Sequence, residues 1–222
     1  IVDAVDNDDL MHIGAACAGM PLVTGGSGVA LGLPANFAAQ GLLGDPGQAA
    51  RMPAIAGPAA VLSGSCSRAT NAQVADWAAT RPLFRIDPMA LAAGQPVACQ
   101  ALDWARAQAG VPVLISATSA PEDVARVQAQ LGVTAAGELV ENALAEVARG
   151  LVASGVRKLV VAGGETSGAV VKALAIEQLR VGPQIDPGVP WMVADGGAAG
   201  GSPLALALKS GNFGSTDFFA KA

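Results

Sequence analysis

In KLVVAGGETSGAVVKAL, residues 158–174, an apolar strand-like run leads into Gly163, Gly164, Glu165, Thr166, Ser167 and Gly168 and then directly into a helix-like run. A strand, a glycine-rich turn and a helix start bring unpaired backbone N–H groups and the positive end of a helix dipole to one point. With the hydroxyls of Thr166 and Ser167 as added donors, the segment has the chemistry to hold an anion. Such a cradle needs positive φ or a close backbone approach at one or more of its glycines. Gly163 and Gly168 keep the outer GxxxxG spacing of a phosphate loop, but Ala169 and Val170 stand where a Walker A motif requires Lys and Ser or Thr. Glu165 would repel a phosphate unless it turns toward a ribose hydroxyl or a Mg²⁺ ion. The same residues also suit a plain glycine-rich turn capped by Thr166 or Ser167.

Two further segments repeat this logic. VLSGSCSRATNAQ, residues 61–73, leaves an apolar run through Ser63, Ser65 and Ser67 before a helix whose expected cap is Thr70 or Asn71. LALALKSGNFG places Lys209, Ser210, Gly211 and Asn212 just after another apolar run, with Lys209 a candidate phosphate-facing cation or an ordinary surface lysine. Small polar residues occur at any strand end, so neither segment is specific alone. Taken together they expect one site, because open α/β sheets bind ligands outside the carboxyl ends of their strands. PLVTGGSGVALGL, residues 21–33, follows GxGxxL and so fails the dinucleotide fingerprint.

Other chemistries find little support. His12 is the sole histidine, which removes a histidine-based metal site and leaves Ser–His–Asp catalysis dependent on one helical residue. Cys17, Cys66 and Cys99 lack CxxC spacing, which argues against a disulfide framework and a zinc site; no metal ligand is assigned. Cys66 could act as a nucleophile near a helix start, although a small buried residue in a tight turn is the simpler reading. VGPQIDPGVPWM, residues 181–192, reads either as a rigid excursion lining a base pocket or as plain turn structure.

The elements that must position these loops follow from the wider pattern. Across 222 residues, 52% hydrophobic but only 4% aromatic with no Tyr, apolar mass made of Ala, Val and Leu alternates with glycine-rich breaks. That pattern predicts an α/β fold, a three-layer and mainly parallel sheet with helices on both faces. Residues 1–33 read as strand, helix, strand, a βαβ remnant of a preceding α/β domain, with Asp6 or Asn7 as helix cap. Residues 34–56 lose periodicity and read as a linker or crossover, and residues 57–222 form the second domain. Residues 121–154 predict two helices broken around 132–137, and the last three strands, without helices between them, predict an antiparallel addition. The net charge of −5, with basic residues scattered singly, argues against a nucleic-acid partner. Although the mean hydropathy is +0.45, no apolar run approaches the ~20 residues that cross a bilayer, so a soluble, cytoplasmic protein without a membrane partner is expected. A chain opening on Ile1-Val2-Asp3 is expected to begin inside a longer protein.

VTGGSGVALGL, VLSGSCSRATNAQV, VAGGETSGAVVKAL, VGPQIDPGVPWM and LALKSGNFGSTDFF, in this order and spacing, resemble the four-carbon acid sugar kinases, the 3-oxo-tetronate, threonate and erythronate 4-kinases. The resemblance covers that family's C-terminal ATP domain and the last βαβ piece of its N-terminal sugar-acid domain. The family's acidic DDxTG-like opening, which helps to hold the sugar acid, has no counterpart here. The resemblance implies transfer of the γ-phosphoryl group of ATP, with Mg²⁺, to the terminal hydroxyl of a four-carbon acid. It places ATP on the Ser63–Ser65–Ser67 loop, on residues 163–168 and on Gly211 with its neighbours. The catalytic base is expected in the absent domain, with Asp186 and Asp195 as distant candidates, and a homodimer is compatible with the pattern. The rival reading is a non-catalytic nucleotide- or anion-binding module; a dinucleotide-binding dehydrogenase fold is disfavoured by the failed fingerprint.

Overall fold

The computed structural model describes residues 1–45, 47, 49–108, 110–194 and 199–222, and the chain divides into two compact units, Ile1–Ala50 and Arg51–Ala222.

In the first unit, helix α1 (Asn7–Ala16) starts where Asp6 accepts hydrogen bonds from the backbone N–H groups of Asp8 and Asp9, both at 3.0 Å. Asp8 and Asp9 add negative charge against the positive end of the helix dipole. A 3₁₀ turn (Ser27–Leu31) and helix α2 (Pro34–Ala39) follow, the latter with Pro at its first position, where a missing N–H costs nothing. Helix and turn meet at backbone contact. A Cβ on Gly14 would lie 2.3 Å from the Gly32 carbonyl carbon, and Asn36 donates to the Gly14 carbonyl at 2.7 Å. Two expectations are corrected here. The runs flanking α1 form no strand among the described residues, because this unit offers no sheet edge whose N–H and C=O groups could pair with them. The aperiodic stretch 34–56 is not wholly irregular, since it contains α2.

The second unit is a three-layer α/β sandwich. Its strands are β1 (Ala59–Ser63), β2 (Leu83–Arg85), β3 (Val113–Ser116), β4 (Lys158–Ala162), β5 (Arg180–Asp186), β6 (Val189–Ala194) and β7 (Leu204–Lys209). They form one sheet in the order β2-β3-β1-β4-β7-β6-β5. The first five in that order are mutually parallel, and β6 and β5 add antiparallel. The last three strands are thus only partly the expected antiparallel addition, because β7 inserts beside β4 and runs parallel to it. The 181–192 segment is the β5–β6 hairpin, turning at Gly188 with φ +78°.

Helices α3 (Arg68–Ala78) and α9 (Phe218–Lys221) cover one face, and α4 (Pro88–Ala92), α5 (Val97–Ala107), α7 (Val133–Ala153) and α8 (Gly164–Ala173) the other, with α6 (Pro121–Leu131) against α7. Side-chain alternation sorts the core. Leu62, Ile115, Leu159 and Leu206 point to the α5/α7/α8 face, and Val61, Leu114, Val160 and Ala207 to the α3/α9 face. Each fully buried Leu or Ile contributes roughly 1.5–3 kcal/mol, and both faces are needed to bury a parallel sheet. The expected helix break falls at Gly132, φ +84°, whereas Gly137 lies inside α7. The short α4, capped by the Asp87 carboxylate, was not expected; Pro88 opens it.

Candidate functional site

Strands β1, β4 and β7 are adjacent and parallel, so the three loops of interest leave the same sheet edge side by side. Backbone hydrogen bonds stitch their exits together. Gly64 and Ser65 both donate to the Ala162 carbonyl at 3.0 and 3.1 Å, and Gly163 donates to the Lys209 carbonyl at 2.8 Å. Three glycines permit this approach. A Cβ on Gly64 would lie 2.2 Å from Thr166 Oγ1, one on Gly163 2.9 Å from the same atom, and one on Gly211 2.5 Å from Ser65 Oγ. Gly163 also has φ +127°, a backbone region essentially closed to other residues. The conformational demand in GGETSG therefore falls on Gly163, while Gly164 and Gly168 have nothing within 4 Å of a built Cβ.

The GGETSG turn is shorter than expected, because α8 begins at Gly164 and takes Glu165, Thr166, Ser167 and Gly168 into its first turns. Among the described residues no side chain caps this helix, and the first intrahelical donor is the Ser167 N–H, to the Gly163 carbonyl at 2.9 Å. Its preceding N–H groups lack intrahelical partners and present a partial positive charge at the sheet edge. Thr166 is largely buried, packed against Gly64 and Gly163, and lines the cavity beside them. The Ser167 hydroxyl oxygen is buried without a hydrogen-bond partner among the described residues, and Glu165 is exposed and lines a cavity.

The serine loop divides by position. Ser63 is the last residue of β1 and fully buried, its hydroxyl 2.6 Å from Thr118 Oγ1, so it supports the loop from inside instead of facing outward. Thr118 in turn donates to the Ser65 carbonyl at 2.8 Å. Ser65 is half-buried and lines the cavity. Ser67, not Thr70 or Asn71, caps α3, accepting from the Thr70 N–H at 3.2 Å and donating to the Gly211 carbonyl at 2.6 Å. Asn71 ties the loop to the β3 exit through the Ser119 carbonyl at 3.2 Å. Cys66 is half-buried beside the cavity, and His12 lies exposed on α1 in the other unit.

Lys209 does not face the open edge. It is 0% exposed, and its ammonium donates to Thr70 Oγ1 at 3.0 Å, the Gly211 carbonyl at 3.0 Å and the Ser210 carbonyl at 3.2 Å. All three N–H donors are thereby spent on the protein, and burial pushes its pKa down to about 8. The reason lies in strand parity, since Lys209 points to the same face as Ala207, which α3 covers. Gly211 sits against Ser65 and Ser67, and Asn212 is exposed.

Sequence reasoning missed Gln73, whose carboxamide nitrogen is within 2.9–3.1 Å of the carbonyls of Phe213, Gly214 and Ser215. It also missed Glu141 of α7, which lines the cavity; burial, then Glu165 and Glu138, raise its pKa above the ordinary glutamate value. A glutamine six residues after the cap Ser67, in the helix that leaves a strand-exit loop, was a readable signal; the α7 glutamate had none.

The cavity, about 350 Å³, is lined by Ser65, Gly163, Gly164, Glu165 and Thr166 of the loops and by residues of α6 and α7. Of the two distant acids, Asp186 is 6% exposed and occupied by Lys221 and by the Ser215 N–H and hydroxyl, both at 2.9 Å. Asp195 lies outside the described residues. Among the described residues, no group of three or more His, Cys, Asp or Glu side chains could hold a metal ion, and no helix is long and apolar enough to cross a membrane.

The model of nucleotide-binding C-terminal domains matches residues 60–219. The 3-oxo-tetronate kinase of Pseudomonas fluorescens is 62% identical over 223 residues, which cover 100% of this chain and 50% of that protein. The 3-oxo-tetronate kinase of Burkholderia multivorans is 60% identical over 222 residues, covering 100% and 51%. A crystal structure of a Haemophilus influenzae DUF1537 protein matches with a TM-score of 0.77 at 37% identity, over 99% of this chain and 52% of its own. The chain spans about half the length of the curated relatives it matches. Three glycine-bearing loops knitted along one parallel sheet edge, an uncapped helix start among them, and a family match over 60–219 agree: this chain belongs to the family of nucleotide-binding C-terminal domains.

Proposed function

We propose that the chain is the ATP-binding half of a kinase that transfers a phosphoryl group to the terminal hydroxyl of a four-carbon sugar acid, 3-oxo-tetronate being the first candidate. The observation that carries this reading is the convergence of the β1, β4 and β7 exits around the uncapped start of α8. The N–H groups of Gly164 and Glu165 bind phosphate oxygens, and Gly164 leaves room for their approach. Ser65 adds a hydroxyl donor. Gly211 and Asn212 border the phosphates from the β7 side, and Lys209 fixes that loop from behind.

Phosphoryl transfer depends mainly on positioning and charge neutralisation, so a site poor in titratable groups is adequate on the nucleotide side. Mg²⁺ fits as an ion carried by the nucleotide's own phosphates, since the described residues build no ligand set for a resident one. It would supply charge neutralisation there. Residues 1–33 form the end of the sugar-acid domain, 34–56 the crossover and 57–222 the ATP domain, in a cytoplasmic enzyme compatible with a homodimer.

The test is a pair of measurements. The chain should bind ATP or ADP in calorimetric titration, yet show no transfer to 3-oxo-tetronate, threonate or erythronate until the preceding half is present. Holding the acceptor in place is worth on the order of 7 kcal/mol, enough to put turnover of the separated half below detection. Nucleotide binding that never becomes transfer, even in the full-length protein, would establish the non-catalytic binding module instead.

A further inference from the structure

Helix α3 presents its cap Ser67 and then Thr70 and Gln73 at a spacing of three, which keeps the side chains on one helix face. The β7–α9 loop runs along that face. Ser67 and Thr70 donate to the Gly211 carbonyl at 2.6 and 2.9 Å, and Lys209 donates to the Ser210 and Gly211 carbonyls from within the loop's own strand. Gln73 takes the next stretch, its carboxamide nitrogen 2.9–3.1 Å from the Phe213, Gly214 and Ser215 carbonyls. These carbonyls fix the orientation of the amide, because its oxygen in that place would face only acceptors. The oxygen is instead buried without a hydrogen-bond partner among the described residues, on a residue 1% exposed. A dry, unpaired acceptor costs stability, so what Gln73 contributes is its donors.

Of the carbonyls from Ser210 to Ser215, all but that of Asn212 are thus drawn toward α3 or the Lys209 ammonium. In a trans peptide the C=O of one residue and the N–H of the next point in opposite directions, and the described residues contain no cis peptide. The N–H groups of Gly211, Asn212 and Gly214 are therefore turned away from α3. Among the described residues none of the three has a hydrogen-bond partner. The end of the gripped stretch is pinned separately, where the Ser215 N–H donates to the Asp186 carboxylate at 2.9 Å.

We propose that Gln73 is a positioning residue: by holding the carbonyls of 213–215 against α3 it sets the β7–α9 loop with its free N–H groups outward, in the orientation that binds ligand. The side chain itself touches no ligand and acts through the loop backbone. Without its donors the loop keeps the Gly211 anchor on Ser67, Thr70 and Lys209 but loses the grip on its second half, so its peptide planes are free to rotate. The assignment rests on the nucleotide-binding reading above and adds to it a residue that governs affinity from the far side of the loop.

Gln73→Met keeps the length of the side chain and removes both donors. Val74→Ala is the comparison, because Val74 is the next residue of α3, 2% exposed in the apolar core, and its truncation lowers stability without removing a hydrogen bond. The whole chain is titrated calorimetrically with ADP and with pyrophosphate, each variant well below the melting temperature found for it. Gln73→Met should weaken both ligands about tenfold or more, the loss of one N–H bond to a charged ligand. Val74→Ala should lower the melting temperature and leave both affinities at the wild-type value, a separation that a merely structural role of Gln73 would not produce. Gln73→Asn, whose carboxamide stops one methylene short of the carbonyls, should weaken both ligands in the same direction and replaces Gln73→Met if that variant does not fold. If the folded Gln73 variant binds pyrophosphate as the wild type does, or if Val74→Ala weakens both ligands as much, Gln73 is a packing residue while the nucleotide reading stands. If neither ADP nor pyrophosphate binds the wild-type chain, both readings fall.

Discussion

An ammonium group closed off from water sits behind the β7 loop, held by three neutral oxygens and no carboxylate. Burial of Lys209 costs stability, and that cost has a pH signature. The folded state releases the Lys209 proton near pH 8, whereas the unfolded chain keeps it to about 10.5. Between those values the unfolded state binds more protons, so stability rises with pH. The full gain is on the order of 3 kcal/mol at about 1.4 kcal/mol per pKa unit. Below pH 8 both states are protonated and the cost is present in full. Lys209→Met should remove this slope, so urea unfolding midpoints of wild type and variant should converge or cross between pH 8 and 10. Parallel curves across that range would show that the ammonium is not dry. What the charge accomplishes in return is positional, because it ties Thr70 of α3, 139 positions away in the chain, to the Ser210 and Gly211 carbonyls of its own loop.

Among the elements, the shortest helix of the described residues is held at both its apolar and its charged side chains. Helix α9, four residues long, packs Phe218 and Phe219 into the α3 face, and its Lys221 pairs with Asp186 at the end of β5. Together with the Ser215 N–H and hydroxyl, Lys221 lowers the Asp186 pKa to about 2, the Lys221 hydrogen bond being the largest cause. A carboxylate with a depressed folded pKa stabilises at pH values above its unfolded value of 3.8, and that contribution is lost as pH falls toward 2. Asp186→Asn should therefore lower the melting temperature at pH 7, and the difference from wild type should shrink between pH 3.8 and 2. A difference that persists undiminished at pH 2 would assign the effect to packing rather than to charge. This is also why Asp186 makes a poor catalytic base, since a carboxylate held down by an ammonium and two hydrogen bonds has little affinity for a proton.

For the whole molecule, every loop of the proposed site lies in the unit Arg51–Ala222. That unit has its own sheet and its own two-sided core. A fragment of residues 51–222 should thus unfold cooperatively and bind ADP within a few-fold of the whole chain, measured by calorimetry. Loss of binding in the folded fragment would mean that residues 1–50 complete the site. The sequence alone determined the alternation of strand and helix, the break in the 121–154 stretch and the placement of serine- and glycine-rich turns at strand ends. These are local consequences of hydrophobic period and turn chemistry, and the three loops could be grouped because parallel strands share a carboxyl edge. The tertiary structure decided which of those residues look outward. Ser63 and Lys209 both fall on the strand parity that α3 covers, so both became internal supports, and the early start of α8 took Thr166 into a helix. It also brought Glu141 and Glu165 to the lining of one cavity, though 24 positions separate them in the chain. Side-chain direction at a strand end depends on which helix lies over that face and on the order of strands in the sheet, and neither is written in the local sequence.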